Sequence, residues 1–216
     1  MIKTILFDLD GTITDSGPGI TNSVEYALTK YGIPVTDRSV LNKFVGPPLS
    51  ESFEKYFGFS KEESYRAVDV YREYYSVKGI FENALYPNVK EMLERLHRNG
   101  YEIILSTSKP EIFAVKILDH FDILKYFTVV CGSELDGRRV DKYEVITESL
   151  SRANITECNS VIMIGDRLHD VLGAHKAGIK CVGVTYGYGS REELVEHNVD
   201  YIIDDASQLP DLLNNL

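Results

Sequence analysis

The chain has 216 residues, with 23 Lys plus Arg against 33 Asp plus Glu, a formal charge of 23 − 33 = −10. That balance argues against nucleic acid, whose phosphates are held by clustered Lys and Arg, and against an anionic membrane surface. No apolar run approaches the ~20 residues of a membrane span. The 44% apolar and 26% charged content is that of an ordinary globular chain, long enough to bury a core without disulfides or a structural metal. Cys131, Cys158 and Cys181 have no C-x-x-C spacing and read as reduced thiols in a cytoplasmic protein. The opening residues Met1–Asp8 read as no signal peptide, because Asp8 and Asp10 break the short apolar stretch.

In chain order, Ile5-Leu6-Phe7 predicts a buried strand. From Pro18 to about Leu85 no convincing strand follows. Ile20, Val24, Ala27, Leu28 and Tyr31 form a helical stripe stopped by Gly32 and Pro34; Leu49, Phe53 and Tyr56-Phe57 form another, stopped by Gly58; Glu62 to Val77 is a third, rich in tyrosine. Tyr86-Pro87 marks a return. Beyond it, Val89, Met92, Leu93 and Leu96 predict a helix closed by Asn99-Gly100. Further short apolar runs predict strands at Glu102–Leu105, Thr128–Cys131, Ser160–Ile164 and Cys181–Val184, with a weaker sixth at Tyr201–Ile203. Helical faces at Val145–Ala153 and Val171–Gly178 lie between them. This alternation implies βαβ units: an α/β fold with a Rossmann-like, doubly wound parallel sheet covered on both faces. The expected organisation is an α/β core of residues 1–16 and 86–216 with an inserted all-helical domain over 17–85.

Ligands of an open parallel sheet bind beyond the carboxyl ends of its strands. The first strand is followed by Asp8-Leu9-Asp10-Gly11-Thr12, the second by Ser106-Thr107-Ser108-Lys109, the fourth by Gly165-Asp166-Arg167-Leu168-His169-Asp170, and Lys142 opens the helix before the fourth. Carboxylates gathered at one sheet edge repel one another unless a cation neutralises them, and hard oxygen ligands suit Mg²⁺, which shares its shell with phosphate. One carboxylate beside such a cation can attack phosphorus, and another can move a proton to the leaving oxygen. An isolated D-x-D-G would more simply cap a turn; the complementary groups at the other strand ends weigh against that here. Gly11 lets backbone N–H groups approach an anion. His169 is not expected as a ligand, since Mg²⁺ prefers oxygen. The tyrosines of the 62–77 segment are expected to pack rather than to stack on a base. Ser190 is read as an N-cap, with Glu193 closing a capping box.

Phe7-Asp8-Leu9-Asp10-Gly11-Thr12-Ile13-Thr14-Asp15-Ser16 resembles the first motif of the haloacid dehalogenase superfamily in its phosphatase form. Thr107 with its serine neighbours resembles the second motif, Lys142 the third, and Ile164–Asp170 with Gly173-Ala174 and Ala177-Gly178 the fourth, in the family's order and across nearly the whole chain. The resemblance is closer to the phosphoglycolate phosphatase-like branch, which carries a helical cap after the first motif. Phe44-Val45-Gly46-Pro47-Pro48-Leu49 is similar to that branch's cap loop, and Gly187-Tyr188-Gly189-Ser190 to its late core loop. Lys142 precedes Tyr143, where the family usually has proline, and three successive hydroxyls leave the second motif's register open by one residue.

The resemblance implies a Mg²⁺-dependent hydrolase of a small phosphate ester. Asp8 would be the nucleophile, Asp10 the acid and base, and Lys142 the neutralising cation. Gly11, Thr107 and Ser108 would bind phosphoryl oxygens. Asp8, the Asp10 carbonyl and Asp166 would hold the metal, with Asp170 further out. Gly46, Pro47 and Leu49 would set specificity. A 5′-nucleotidase, a pyrophosphatase and a sugar-phosphate mutase are the alternatives on the same fold. A non-catalytic phospho-acceptor switch would need neither the insertion nor a second Asp two positions on.

Overall fold

The computed structural model describes residues 1–216. In chain order its strands are β1 (Thr4–Phe7), β2 (Thr14–Asp15), β3 (Ala84–Leu85), β4 (Glu102–Pro110), β5 (Val129–Ser133), β6 (Val161–Gly165), β7 (Lys180–Val184) and β8 (Tyr201–Ile203). The helices are α1 (Gly17–Lys30), α2 (Leu49–Phe57), α3 (Lys61–Tyr75), α4 (Val89–Arg98), α5 (Glu111–His120), α6 (Lys142–Arg152), α7 (Leu168–Lys176), α8 (Arg191–Glu196) and α9 (Leu209–Leu213). Two compact units result, Met1–Thr14 with Leu85–Leu216, and Asp15–Ala84. The divisions fall one to two residues before those expected from the sequence, at the short strands β2 and β3, which pair with each other.

The larger unit is built on a six-stranded parallel sheet of order β5-β4-β1-β6-β7-β8. All six predicted strands are present. All four residues of β1 are buried, since it pairs with β4 on one side and β6 on the other. A strand covered on both faces reads as an unbroken apolar run, and for that reason Ile5-Leu6-Phe7 is legible. From β1 the chain adds β4 and β5 in one direction, then β6, β7 and β8 in the other. The order therefore reverses between β1 and β6, and a crevice at the carboxyl ends of these two strands is where such sheets bind ligands.

Leu6, Ile104, Met163 and Cys181 on the sheet pack against Ile146 and Leu150 of α6 and Val171 and Ala174 of α7. Each of the Leu, Ile, Val and Met side chains among them contributes roughly 1.5–3 kcal/mol of burial. On another helix of the unit, Val89, Met92, Leu93 and Leu96 are all buried on one face of α4. Gly178 and Gly100 follow α7 and α4 with φ of +72° and +82°, the left-handed stops that glycine favours.

Two local features depart from the expectations. β4 does not stop at Leu105 but continues to Pro110, with a register shift between Ser106 and Pro110. Its neighbour Gly132 allows this: a Cβ there would meet the Lys109 carbonyl oxygen at 2.5 Å. And α5, which no clean apolar stripe announces, follows at once; Phe113, Ala114, Ile117 and Leu118 are buried while Ile112 and Val115 stay exposed.

The smaller unit is helical. Phe44 meets Phe53 edge-on at 5.0 Å between ring centres, and Phe53 stacks on Phe59 at 5.6 Å. Gly58 ends α2 at φ +69°. A Ser60–Glu63 capping box starts α3. Tyr71 and Tyr75 are buried and stacked at 5.2 Å, so these tyrosines go to packing, whereas Tyr65 is exposed.

Candidate active site

β1 and β6 end side by side, and each runs directly into an aspartate. Asp8 follows β1 and Asp166 follows β6; the Asp8 amide donates to the Ile164 carbonyl, which locks the two strand ends together. Asp170 lies in the first turn of α7, where its Oδ2 accepts the Arg167 amide at 3.1 Å. Carboxylate oxygens of Asp8, Asp166 and Asp170 lie within 4.8 Å of one another, and all three residues are buried.

One cation inside the cluster comes from the first residue of α6. Lys142 Nζ is 2.9 Å from Asp8 Oδ1 and 2.8 Å from Asp170 Oδ1, and it donates to the Ser106 carbonyl at 3.3 Å. Burial works against the Lys142 charge, but Asp170 and Asp8 outweigh it and hold the ammonium well above its ordinary value. The acids are pushed up as well, which for them disfavours the charged form. Burial first, and then the charges of Asp170 and Asp8, raise the Asp166 carboxyl well above the carboxylate range. Burial and Asp8 raise Asp170, with Lys142 opposing. Three carboxylates against one ammonium leave negative charge in a dry place.

Asp166 is held from the other side by the late core loop. Its Oδ2 accepts the Tyr188 amide at 2.8 Å and the Gly189 amide at 3.4 Å, while its Oδ1 is buried with no hydrogen-bonding partner. Gly11 sits against the same carboxylate at φ +89°; a side chain there would both strain the backbone and collide with Asp166. An all-oxygen donor set carrying excess negative charge, with one buried oxygen lacking a proton donor, fits a hard divalent cation such as Mg²⁺.

The other expected residues divide as follows. Asp10 is part-buried beside the cluster, and Lys109 Nζ binds both its oxygens, at 3.1 and 2.8 Å. Thr107 is buried, and its hydroxyl accepts the Lys109 amide at 3.3 Å. The Ser106 hydroxyl is taken up in the core by Ser149 Oγ at 3.0 Å, which leaves Thr107 and the half-buried Ser108 for the hydroxyl and amide of the second motif. Gly46, Pro47 and Leu49 belong to the helical unit, at the start of α2. His169 is solvent-exposed and outside the carboxylate cluster. Ser190 caps α8 as expected, accepting the Glu193 amide at 3.1 Å. The capping box does not close: Glu193 Oε1 instead accepts from Arg167 Nε at 2.9 Å and the Leu168 amide at 2.8 Å, a half-buried cation and a helix N-terminal amide outcompeting its own cap. The Lys109–Asp10 pair is a contact in the site that the sequence reading missed. The signal for it was a lysine two residues past Thr107, in the same strand-end motif.

Family comparison agrees with this geometry. A family model described as haloacid dehalogenase-like hydrolase matches residues 5–184, and the chain belongs to that family. It is a phosphatase of that family. A 5′-nucleotidase of Pseudomonas aeruginosa is 42% identical, over 98% of this chain and 95% of that one. The tyrosine-protein kinase PtkA of Mycobacterium tuberculosis is 36% identical over 97% of this chain and 71% of its own. A phosphoglycolate phosphatase of Vibrio parahaemolyticus is 32% identical over 96% and 94%. The crystal structure of a predicted phosphatase from Clostridium acetobutylicum superposes with a TM-score of 0.96 at 44% identity, covering both chains completely. No helix is long and apolar enough to cross a membrane.

Proposed function

We propose that the chain is a Mg²⁺-dependent phosphomonoester hydrolase for a small phosphorylated metabolite, working through an aspartyl-phosphate on Asp8. The observation that carries this reading is the buried carboxylate cluster with its single internal lysine and the partnerless Asp166 Oδ1. Asp8, Asp166 and the Asp10 backbone carbonyl would hold Mg²⁺, with Asp170 further out, tied to Lys142. Bound there, the ion would neutralise the acids and the phosphoryl oxygens.

Asp8 forms a bond to phosphorus as the ester P–O bond breaks, and Asp10 gives its proton to the leaving oxygen. Asp10 then takes a proton from water as the water oxygen bonds to phosphorus and the Asp8–phosphorus bond breaks, so ester and water become alcohol and phosphate. Lys142 neutralises the nucleophile and the phosphoryl group. Gly11, Thr107 and the Ser108 amide bind phosphoryl oxygens. Such positioning and charge stabilisation is most of what phosphoryl transfer asks of a protein.

The resemblance of the motifs is to phosphoglycolate phosphatases. A nucleoside monophosphate is the second substrate reading, favoured by the 42% identity to a 5′-nucleotidase. The helical unit acts as a cap in this proposal, and Gly46, Pro47 and Leu49 set the choice between esters. The acidic charge supports a small-molecule substrate rather than nucleic acid, and three free cysteines support a reducing compartment. The test is phosphate release from nucleoside monophosphates, phosphoglycolate, pyrophosphate and hexose phosphates, with and without Mg²⁺. Activity should require the ion and fall by at least ~10³ in Asp8→Asn, the scale of losing a principal transition-state contact. Near-normal turnover of Asp8→Asn would overturn the mechanism.

A further inference from the structure

Only two lysines of the chain are buried, Lys142 and Lys109. Burying an ammonium is costly unless it is well paired. Lys142 is accounted for by Asp8 and Asp170. Lys109 spends its charge on a different carboxylate, Asp10, and contacts both of its oxygens, at 3.1 and 2.8 Å.

The backbone that presents Lys109 is itself held. Its amide is bound by the Thr107 hydroxyl at 3.3 Å, the next residue, Pro110, pairs with Ser133, and Gly132 gives its carbonyl room to approach. The side chains of Lys109 and Asp10 are 5% and 13% exposed, so water competes little for the pair. The Asp10 backbone is held in a turn, bridged to Thr14 before Gly11 at φ +89°, while its carboxylate is held by Lys109 Nζ. The precision this aspartate needs comes from across the site.

We propose that Lys109 is a positioning residue for Asp10, fixing through both oxygens the orientation in which the carboxylate faces the leaving oxygen and, later, the attacking water. The inference rests on the acid–base role read above for Asp10. In it Lys109 touches no reacting atom, and its effect passes wholly through Asp10.

The experiment compares Lys109→Met, Lys109→Gln, Asp10→Asn and the Lys109→Met/Asp10→Asn double variant on an alkyl phosphate and on p-nitrophenyl phosphate. A general acid is typically worth 10²–10⁴-fold, and it matters most for a poor leaving group. Losing its anchor should lower kcat on the alkyl ester by about 10–100-fold, a part of that range. KM should change little and the loss on the nitrophenyl ester should be much smaller. Lys109→Gln, which keeps one donor, should lose less. In the Asp10→Asn background, Lys109→Met should add almost nothing. Should Lys109→Met not fold, Lys109→Gln alone and in the Asp10→Asn background supplies the same comparison. Equal losses on both esters, a rise in KM without loss of kcat, or full additivity would overturn the proposal and make Lys109 a direct substrate contact. If Asp10→Asn itself shows no leaving-group dependence, the acid–base reading fails and this inference with it. If Asp10→Asn shows it and the lysine variants do not, only the inference fails.

Discussion

Gly187 lies against the Asp166 side chain so closely that a Cβ there would stand 2.5 Å from Asp166 Cβ and 2.6 Å from its Oδ2. Real Cβ atoms do not tolerate such distances, nor the 2.2 Å to the Gly11 carbonyl oxygen, so the loop, the Gly11 turn or the aspartate must move. The loop carries the Tyr188 amide that binds Asp166 Oδ2. Gly187→Ala should therefore weaken apparent Mg²⁺ affinity by about 10–100-fold, the usual cost of losing a group that orients a metal ligand. A Mg²⁺ titration followed by thermal shift measures it. Unchanged affinity with the fold intact would mean that the loop does not orient Asp166.

A second expectation concerns the repulsion among the clustered carboxylates when chelator removes metal. The Asp166 carboxyl is raised above its unfolded value by burial, then by Asp170 and Asp8. An acid of this kind stabilises the fold fully below its unfolded pKa, about 3.9, and loses that contribution as pH rises through the folded value. In chelator, the stability of the wild-type protein relative to Asp166→Asn should decline as pH rises from ~4. Asparagine keeps an oxygen for the Tyr188 amide and turns its NH₂ toward the acids. At neutral pH the variant should melt about 2–8 °C higher without metal, taking 1–2 kcal/mol of relief at 2–4 °C per kcal/mol. It should gain nothing from Mg²⁺. A lower melting temperature for Asp166→Asn in chelator would show that the carboxylate is not under repulsion.

The carboxylate cluster was legible in the sequence because each member sits at a place the pattern already fixes. Asp8 and Asp166 follow short apolar runs, while Lys142 and Asp170 open helices beside them. Parallel topology then brings strand ends together. What was not legible depends on local length and on competition. Asp10 meets Lys109 only because β4 overruns Leu105 to Pro110, a register irregularity with no periodic signature. α5 hides because apolar residues lie on more than one of its faces. Glu193 matches a capping box in spacing, yet spends its carboxylate on Arg167 and Leu168, partners 26 and 25 residues away in sequence.

The helical unit supplies a third expectation. Gly46 has φ +100°, and Pro47 and Pro48 lead the chain into α2 at Leu49. If this stretch sets the choice of ester, Pro47→Ala and Leu49→Ala should change the ratio of kcat/KM between a nucleoside monophosphate and phosphoglycolate by about tenfold, the range one lost apolar contact commands. The Mg²⁺ concentration for half-maximal rate should not move. An unchanged ratio with a shifted Mg²⁺ requirement would remove this stretch from substrate recognition.

Lys142 gives the last expectation, and it separates charge from packing. Its ammonium bridges Asp8 and Asp170, and its stem passes over Gly173, where a Cβ would meet Lys142 Cγ at 2.8 Å. Lys142→Met keeps most of that stem and removes the charge, which leaves two buried carboxylates without their cation. Removing one partner of a buried pair costs about 3–5 kcal/mol. In chelator the variant should melt roughly 6–20 °C lower, at 2–4 °C per kcal/mol. Mg²⁺ supplies positive charge to the same acids, so saturating Mg²⁺ should close part of that gap, and the stabilisation by Mg²⁺ should be larger in the variant than in the wild type. Activity should stay low even then, because the ion does not replace an ammonium beside the phosphoryl group. Thermal melts of both proteins in chelator and in Mg²⁺, read together with turnover, decide the matter. Equal Mg²⁺ stabilisation in the two proteins would mean that Lys142 and the ion do not share these carboxylates.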